Sequence, residues 1–288
     1  MVPTRKWLLT CIFLQLTMLF PGCQTTSQEL SFQKNTDVLG VWWWWVDQDK
    51  HAAHLDFAQK NGVNEIYYWT DRLNNRTGLF VEAAKERNIK VFWLLEKYQY
   101  IWDYDAFSEQ MKKYMAYQAS APENRQFAGI HLDIEPQVHP DFDTDKLAFL
   151  QDYIDFIVWV CDTYRDCTTI DLDIAYWFDY TIKYRGVTSI LYQALMTEAD
   201  RIFVMSYKDT AEQTYKVSKE EIAFAKSLNK QIILGAETGD YDYEPNLSYY
   251  GKGTGYFYGE LQKLRTLVNY DNVGISIHQI TTWYAMGK

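Results

Sequence analysis

Cysteine is scarce: the 288 residues hold four, and two of them, Cys11 and Cys23, fall near the N-terminus. Only Cys161 and Cys167 remain, too few for a disulfide scaffold. They can close a small local loop or stand as separate thiols. No Cys/His spacing of the metal-binding type occurs, and no metal or other cofactor is expected. Beyond Phe20 no apolar run is long enough to span a bilayer. Basic residues are outnumbered, 28 Lys and Arg against 38 Asp and Glu, for a net charge of −10. That balance argues against nucleic acid or an anionic lipid surface as partner. No glycine-rich phosphate loop follows the first predicted strand, which counts against a doubly wound dinucleotide fold.

The N-terminus has a composition of its own. Arg5 and Lys6 precede a largely apolar run from Trp7 to Phe20, followed by Pro21-Gly22-Cys23. The run is too short for a membrane span and has the layout of a secretory signal. Gly22-Cys23 resembles the cleavage box of bacterial lipoproteins, which implies removal of residues 1–22 and lipidation of Cys23. Cleavage as a plain signal peptide nearby is the other reading. Residues 24–36 are polar and read as a flexible tether from Cys23, leaving one domain over 37–288. The expectation is an exported cell-envelope lipoprotein, attached to the membrane only through its anchor and acting as a monomer.

Aromatic residues are abundant, at 17% of the chain. A large core accounts for many of them. It does not account for Trp42-Trp43-Trp44-Trp45, because alternate residues of a strand face opposite sides. Aromatic faces left at a pocket rim stack on the apolar faces of sugar rings, so an oligo- or polysaccharide is favoured as the partner.

Short β-rich runs alternate with amphipathic stretches. The pattern predicts strands at 38–45, 64–69, 89–95, 127–135, 168–176, 201–207, 231–237 and 272–280. Helices are predicted at about 50–61, 78–88, 104–119, 144–164, 187–198, 218–228 and 256–269. Alternation of this kind implies a parallel sheet with right-handed crossovers. Eight strands in about 250 residues are what a single α/β domain of the (β/α)8 barrel type requires. The longest irregular stretch, 240–255, follows the seventh strand and is expected to wall or cover a pocket.

Period-two alternation then states what each strand turns inward. In Phe-Ala-Gly-Ile-His-Leu-Asp-Ile-Glu-Pro, residues 127–136, the side chains of Ala128, Ile130, Leu132 and Ile134 share the outer face. His131, Asp133 and Glu135 share the inner one, with the two carboxylates at the C-terminal end where barrel sites lie. Equivalent reasoning turns Asp171 and Asp173, Glu237, and Ser276 and His278 inward. It also sets Tyr207 and Glu96 at the ends of their strands. So many ionisable groups at one end of a barrel rarely arise by chance. Asp171, deep in its strand, reads as structural, and Glu96 as a partner for Lys97 or Arg72 or a site residue. His131 and His278 are satisfied core histidines or substrate contacts. Asp133 and Glu135 share one face two residues apart. Like charge and partial burial there favour a protonated carboxyl, as a general acid needs.

The stretch Ala128-Gly129-Ile130-His131-Leu132-Asp133-Ile134-Glu135 resembles the Asp-Gly-x-Asp-x-Asp-x-Glu motif of glycoside hydrolase family 18, the chitinases and endo-β-N-acetylglucosaminidases. The resemblance implies that Glu135 protonates the leaving oxygen and that Asp133 orients the substrate's acetamido group. Met205-Ser206-Tyr207 resembles the family's Met-x-Tyr-Asp, implying a sugar-binding role for Tyr207, and Trp283 would floor the sugar site. Ala128 and His131 replace two of the motif's aspartates, and Lys208 stands where Met-x-Tyr-Asp has its acid. Ile134-Glu135-Pro136 and Glu237-Thr238-Gly239 also look like retaining glycosidases whose acid/base follows strand four and whose nucleophile follows strand seven, which would make Glu237 the nucleophile. His131, Asp173, His278, Trp43 and Trp45 are the further substrate-binding candidates. A non-catalytic carbohydrate-binding barrel is the reading of another class. A metal hydrolase using His131, Asp133 and His278 is disfavoured by the lack of a His-x-His pair.

Overall fold

The computed structural model describes residues 38–241, 244 and 246–287. The expected leader, tether and lipidation site at Cys23 lie outside the described residues. Eight parallel strands close on themselves: β1 (Leu39–Trp43), β2 (Glu65–Trp69), β3 (Lys90–Leu95), β4 (Gly129–Leu132), β5 (Ile170–Ala175), β8 (Arg201–Met205), β9 (Ile232–Glu237) and β10 (Val273–His278). Helices α1 (His51–Lys60), α2 (Asn75–Lys85), α3 (Tyr104–Ser120), α4 (Lys146–Tyr164), α5 (Leu191–Glu198), α6 (Ala211–Leu228), α7 (Thr254–Val268) and α8 (Ile280–Met286) alternate with them. This is the expected (β/α)8 barrel.

Where the elements differ from expectation, caps and turns explain it. Residues 187–190 were expected to open a helix. Instead β6 (Thr181–Tyr184) and β7 (Val187–Ile190) form a hairpin across Arg185-Gly186, both with positive φ (47° and 84°). Two such residues make the tight turn whose twist matches paired strands. Helix α6 starts seven residues before the expected 218, because Thr210 caps it by accepting from the Gln213 amide. Helix α8 was not expected. It is opened by a reciprocal capping box between Gln279 and Thr282. Cys161 and Cys167 are not disulfide-bonded. Among the described residues no helix is long and apolar enough to cross a membrane.

Two apolar clusters follow from strand parity. Outward residues such as Val41, Ile130, Leu172, Val204, Leu234 and Ile275 pack beneath the helices. Inward ones, among them Trp42, Tyr67, Phe92, Leu94, Phe203 and Ile233, fill the barrel. A buried charge network sits among the latter. Arg201, at the start of β8, bridges Glu65 (2.9 Å) and Asp171 (2.8 Å), and its guanidinium lies 4.7 Å from the Phe92 ring centre. Burial alone would push the Asp171 carboxyl up, but Arg201 and His131 hold it below the usual range. Asp171 is structural, as its depth suggested.

Candidate active site

The mouth of the barrel lies at the C-terminal ends of the strands. Strand β4 ends at Leu132, earlier than expected, but the Asp133 amide still donates to the Leu95 carbonyl of β3 at 2.8 Å. The chain therefore stays extended, and Asp133 and Glu135 keep the inward parity of His131. Glu135 is half-buried, with Pro136 immediately beyond it and Gln137 Nε2 donating to its Oε2. Burial, then the charge of Asp173, pushes Glu135 up to about 7, while His278 and Gln137 pull the other way. Burial also raises Asp133 well above the carboxylate range, assisted by Asp173, Glu135 and Glu96. Asp173 therefore joins Asp133 and Glu135 in one cluster of mutually repelling carboxyls.

Asp173 is buried on β5. Its Oδ2 accepts from His131 Nε2 at 2.7 Å and from Trp42 Nε1 at 3.3 Å. Burial disfavours a charged His131, yet Asp173 and Asp171 on either side raise it to about 9. His131 is sealed in the barrel, stacked on Tyr67 at 4.3 Å. It is the core histidine of the two readings, with Nε2 hydrogen-bonded to Asp173 and Nδ1 3.9 Å from Asp171 Oδ2, and the expected substrate contact at His131 is corrected accordingly. Tyr207 follows β8. A Cβ on Gly235 would lie 2.7 Å from the Tyr207 ring, so glycine there makes room for it. Burial and the neighbouring acids Glu237, Asp173, Asp133 and Glu135 push the Tyr207 phenol well up.

Glu237 and His278 stand opposite each other in register on β9 and β10. Glu237 is 1% exposed. Its Oε1 accepts from the Thr238 and Gly239 amides at 2.7 and 2.6 Å, and its Oε2 accepts from His278 Nδ1 at 2.7 Å. A nucleophilic carboxylate needs an oxygen free to meet the anomeric carbon. Both oxygens already accept hydrogen bonds and the side chain is buried, so the geometry favours Glu237 as the holder of His278 over Glu237 as nucleophile. The His278 ring faces Tyr207, Trp42 and Trp44.

Two aromatic expectations are corrected. Trp43 is fully buried on the outer side of β1, edge-on to His51, His54 and Phe80. Parity sets it with Val41, beneath the helices, out of reach of a sugar. Trp283 is fully buried on the face of α8 that packs against Phe57 of α1 and Phe257 of α7. Trp45 does stand at the rim, 69% exposed, because a positive φ (39°) just past β1 turns it outward. It lies 5.1 Å from Trp44 and 5.5 Å from Trp69, whose Nε1 donates to Glu96 Oε1 at 3.1 Å. Glu96 therefore belongs to the rim rather than to Lys97 or Arg72. Trp69 and Gln137 were missed by sequence reasoning; the inward parity of Glu65 and Tyr67 on β2 was the available signal for Trp69.

The irregular segment after β9 folds back on this face. Tyr249 N donates to the Glu237 carbonyl, Asp209 N to the Asn246 carbonyl, and Lys252 pairs with Asp209. Lys208, in place of the related motif's acid, lies over the Tyr176 ring at 5.2 Å.

Solved structures with this fold include carbohydrate-active barrels. The spore cortex-lytic enzyme of Bacillus megaterium aligns with 87% of this chain and 73% of its own, at 12% identity and TM-score 0.53. A GH18 chitinase from Cycas revoluta, solved with (GlcNAc)3, aligns with 85% of this chain and 95% of its own, at 8% identity and TM-score 0.52. A β-galactosidase from Halorubrum lacusprofundi aligns with 84% of this chain and 52% of its own, at 9% identity and TM-score 0.54. At these identities the similarity is one of fold. No protein-family model and no curated protein matches the sequence.

Proposed function

We propose that this chain hydrolyses a glycosidic bond in an N-acetylhexosamine-containing glycan, with Glu135 as general acid and then base. The observation that carries the reading is Glu135 itself, a half-buried carboxyl raised to about 7 at the mouth of the barrel. A carboxyl that keeps its proton at neutral pH can give it to a leaving oxygen and recover it from water. Asp133 stands beside it to orient the substrate. Trp45 and Trp69 offer faces for sugar rings, and Tyr207 and His278 line the inner subsite. With both Glu237 oxygens engaged, participation of the substrate's own acetamido oxygen is favoured over a covalent glycosyl–Glu237 intermediate. The acetamido sugar is suggested by the motif resemblance and by the (GlcNAc)3 in the Cycas chitinase of like fold.

We further propose that the protein is exported and anchored through a lipid on Cys23, which metabolic labelling with palmitate would detect and Cys23→Ala would abolish.

The test is Glu135→Gln assayed on acetamido-sugar oligomers and a broad glycan panel. Turnover should fall by about 100-fold or more. A variant as fast as wild type would remove Glu135 from the chemistry. Sugar binding by the wild type without turnover would favour the carbohydrate-binding barrel.

A further inference from the structure

Two buried carboxylate oxygens at the barrel mouth have no hydrogen-bond partner among the described residues: Oδ1 of Asp133 and Oδ1 of Asp173. Strand register explains why they meet. On β4 and β5, His131 stands opposite Asp171 and Leu132 opposite Leu172. One residue further, the same pleat sets Asp133 beside Asp173 on the inner face, and the Asp173 carboxyl is among the neighbours that raise Asp133. Two ionised carboxylates so placed would repel, and each would keep a buried oxygen unsatisfied. A single proton between them satisfies both.

The surroundings decide which carboxyl carries it. Asp173 Oδ2 already accepts from His131 and Trp42, and Asp171 and Arg201 lie behind His131. Asp173 therefore faces a cation at neutral pH. Asp133 faces Asp173, Glu135 and Glu96, with no cationic partner among the described residues. The Tyr207 and Tyr153 hydroxyl groups, whose own protons these acids reinforce, complete the surroundings.

We propose that Asp173 is a positioning residue: its Oδ1 accepts the proton carried on Asp133 Oδ1, while His131 and Trp42 hold its Oδ2. The acid that partners Asp133 thus comes from β5, and the inward position two residues before Asp133 carries that acid's counter-charge instead. Asp133 is held with its proton turned away from the mouth, leaving Oδ2 for the substrate. The negative charge of Asp173 also keeps Glu135 protonated. The consequence for turnover rests on the hydrolase reading; the proton pair does not.

Side-chain 13C shifts of aspartate in the full chain test the pair directly. One carboxyl, identified by its loss in Asp133→Asn, should remain protonated at pH 6, where an ordinary aspartate near 4 is ionised. In the isosteric Asp173→Asn its midpoint should fall, since the amide can donate to an ionised Asp133. The high-pH limb of the pH–rate profile should move down by about one pH unit or more. An Asp133 that titrates near 4 in the wild type overturns the proposal without recourse to any variant. So does a midpoint unmoved in folded Asp173→Asn. A protonated Asp133 in a protein that cleaves no glycan would keep the pair and remove the hydrolase; cleavage with an ordinary Asp133 would do the reverse.

Discussion

His278 Nδ1 donates to Glu237 Oε2 at 2.7 Å, between residues that stand opposite each other in register on adjacent strands. The bond turns the other imidazole nitrogen away from Glu237. Together with the two backbone amides on Oε1, it holds Glu237 buried with both oxygens accepting hydrogen bonds, a setting that disfavours attack. A glycosidase working through a covalent Glu237 intermediate would be rescued by azide in Glu237→Gly, giving an inverted glycosyl azide. No such product is expected here, and its detection by mass spectrometry would reinstate the two-glutamate route.

The pH dependence of turnover should follow Glu135. As general acid it must hold its proton, so activity should decline as pH rises through about 7. A kcat profile flat from pH 5 to 9 would contradict the assignment.

Stability should respond to His131 at higher pH. Its folded-state value is raised from 6.5 to about 9, so the folded state binds the proton more tightly than the unfolded chain. Stability from this group is complete below about 6.5 and lost as pH rises through about 9. Melting temperatures should fall across that window in the wild type, and the His131-dependent slope should be missing in His131→Gln.

Arg201→Met removes the cation between Asp171 and Glu65 and leaves both carboxylates buried. Breaking such a buried pair from one side costs about 3–5 kcal/mol, which urea unfolding would measure. A loss below about 1 kcal/mol would mean that the network contributes little.

The tryptophans should divide by strand face. Trp43→Ala and Trp283→Ala each empty a fully buried site and should destabilise the fold by about 3–5 kcal/mol. Trp45→Ala should leave the melting temperature nearly unchanged and raise KM for glycan substrates. Unaltered glycan binding in Trp45→Ala would take Trp45 out of the substrate site.

Much of the barrel was readable because its strands alternate cleanly. The inward setting of Asp133, Glu135, Asp173, Glu237 and His278 needs only period two and a strand direction. Trp43 shows the limit of that reading. In Trp42–Trp45 the period is plain, but the choice of inner face depends on β1 pairing with β2 and β10, and those contacts are long-range. Trp283 failed for a related reason. The turn that opens α8 rotates it towards α1 and α7, and nothing near residue 283 announces that packing.

The sequence by itself determined the order of strands and helices, the face on which each acid lies and the candidacy of Glu135, since these are local consequences of backbone geometry. Tertiary structure decided the roles within the set. Charge and hydrogen-bond partners come from neighbouring strands far apart in the chain: Arg201 for Asp171, His131 for Asp173, His278 for Glu237. Those partners determine which carboxyl keeps a proton and which is spent on holding its neighbour.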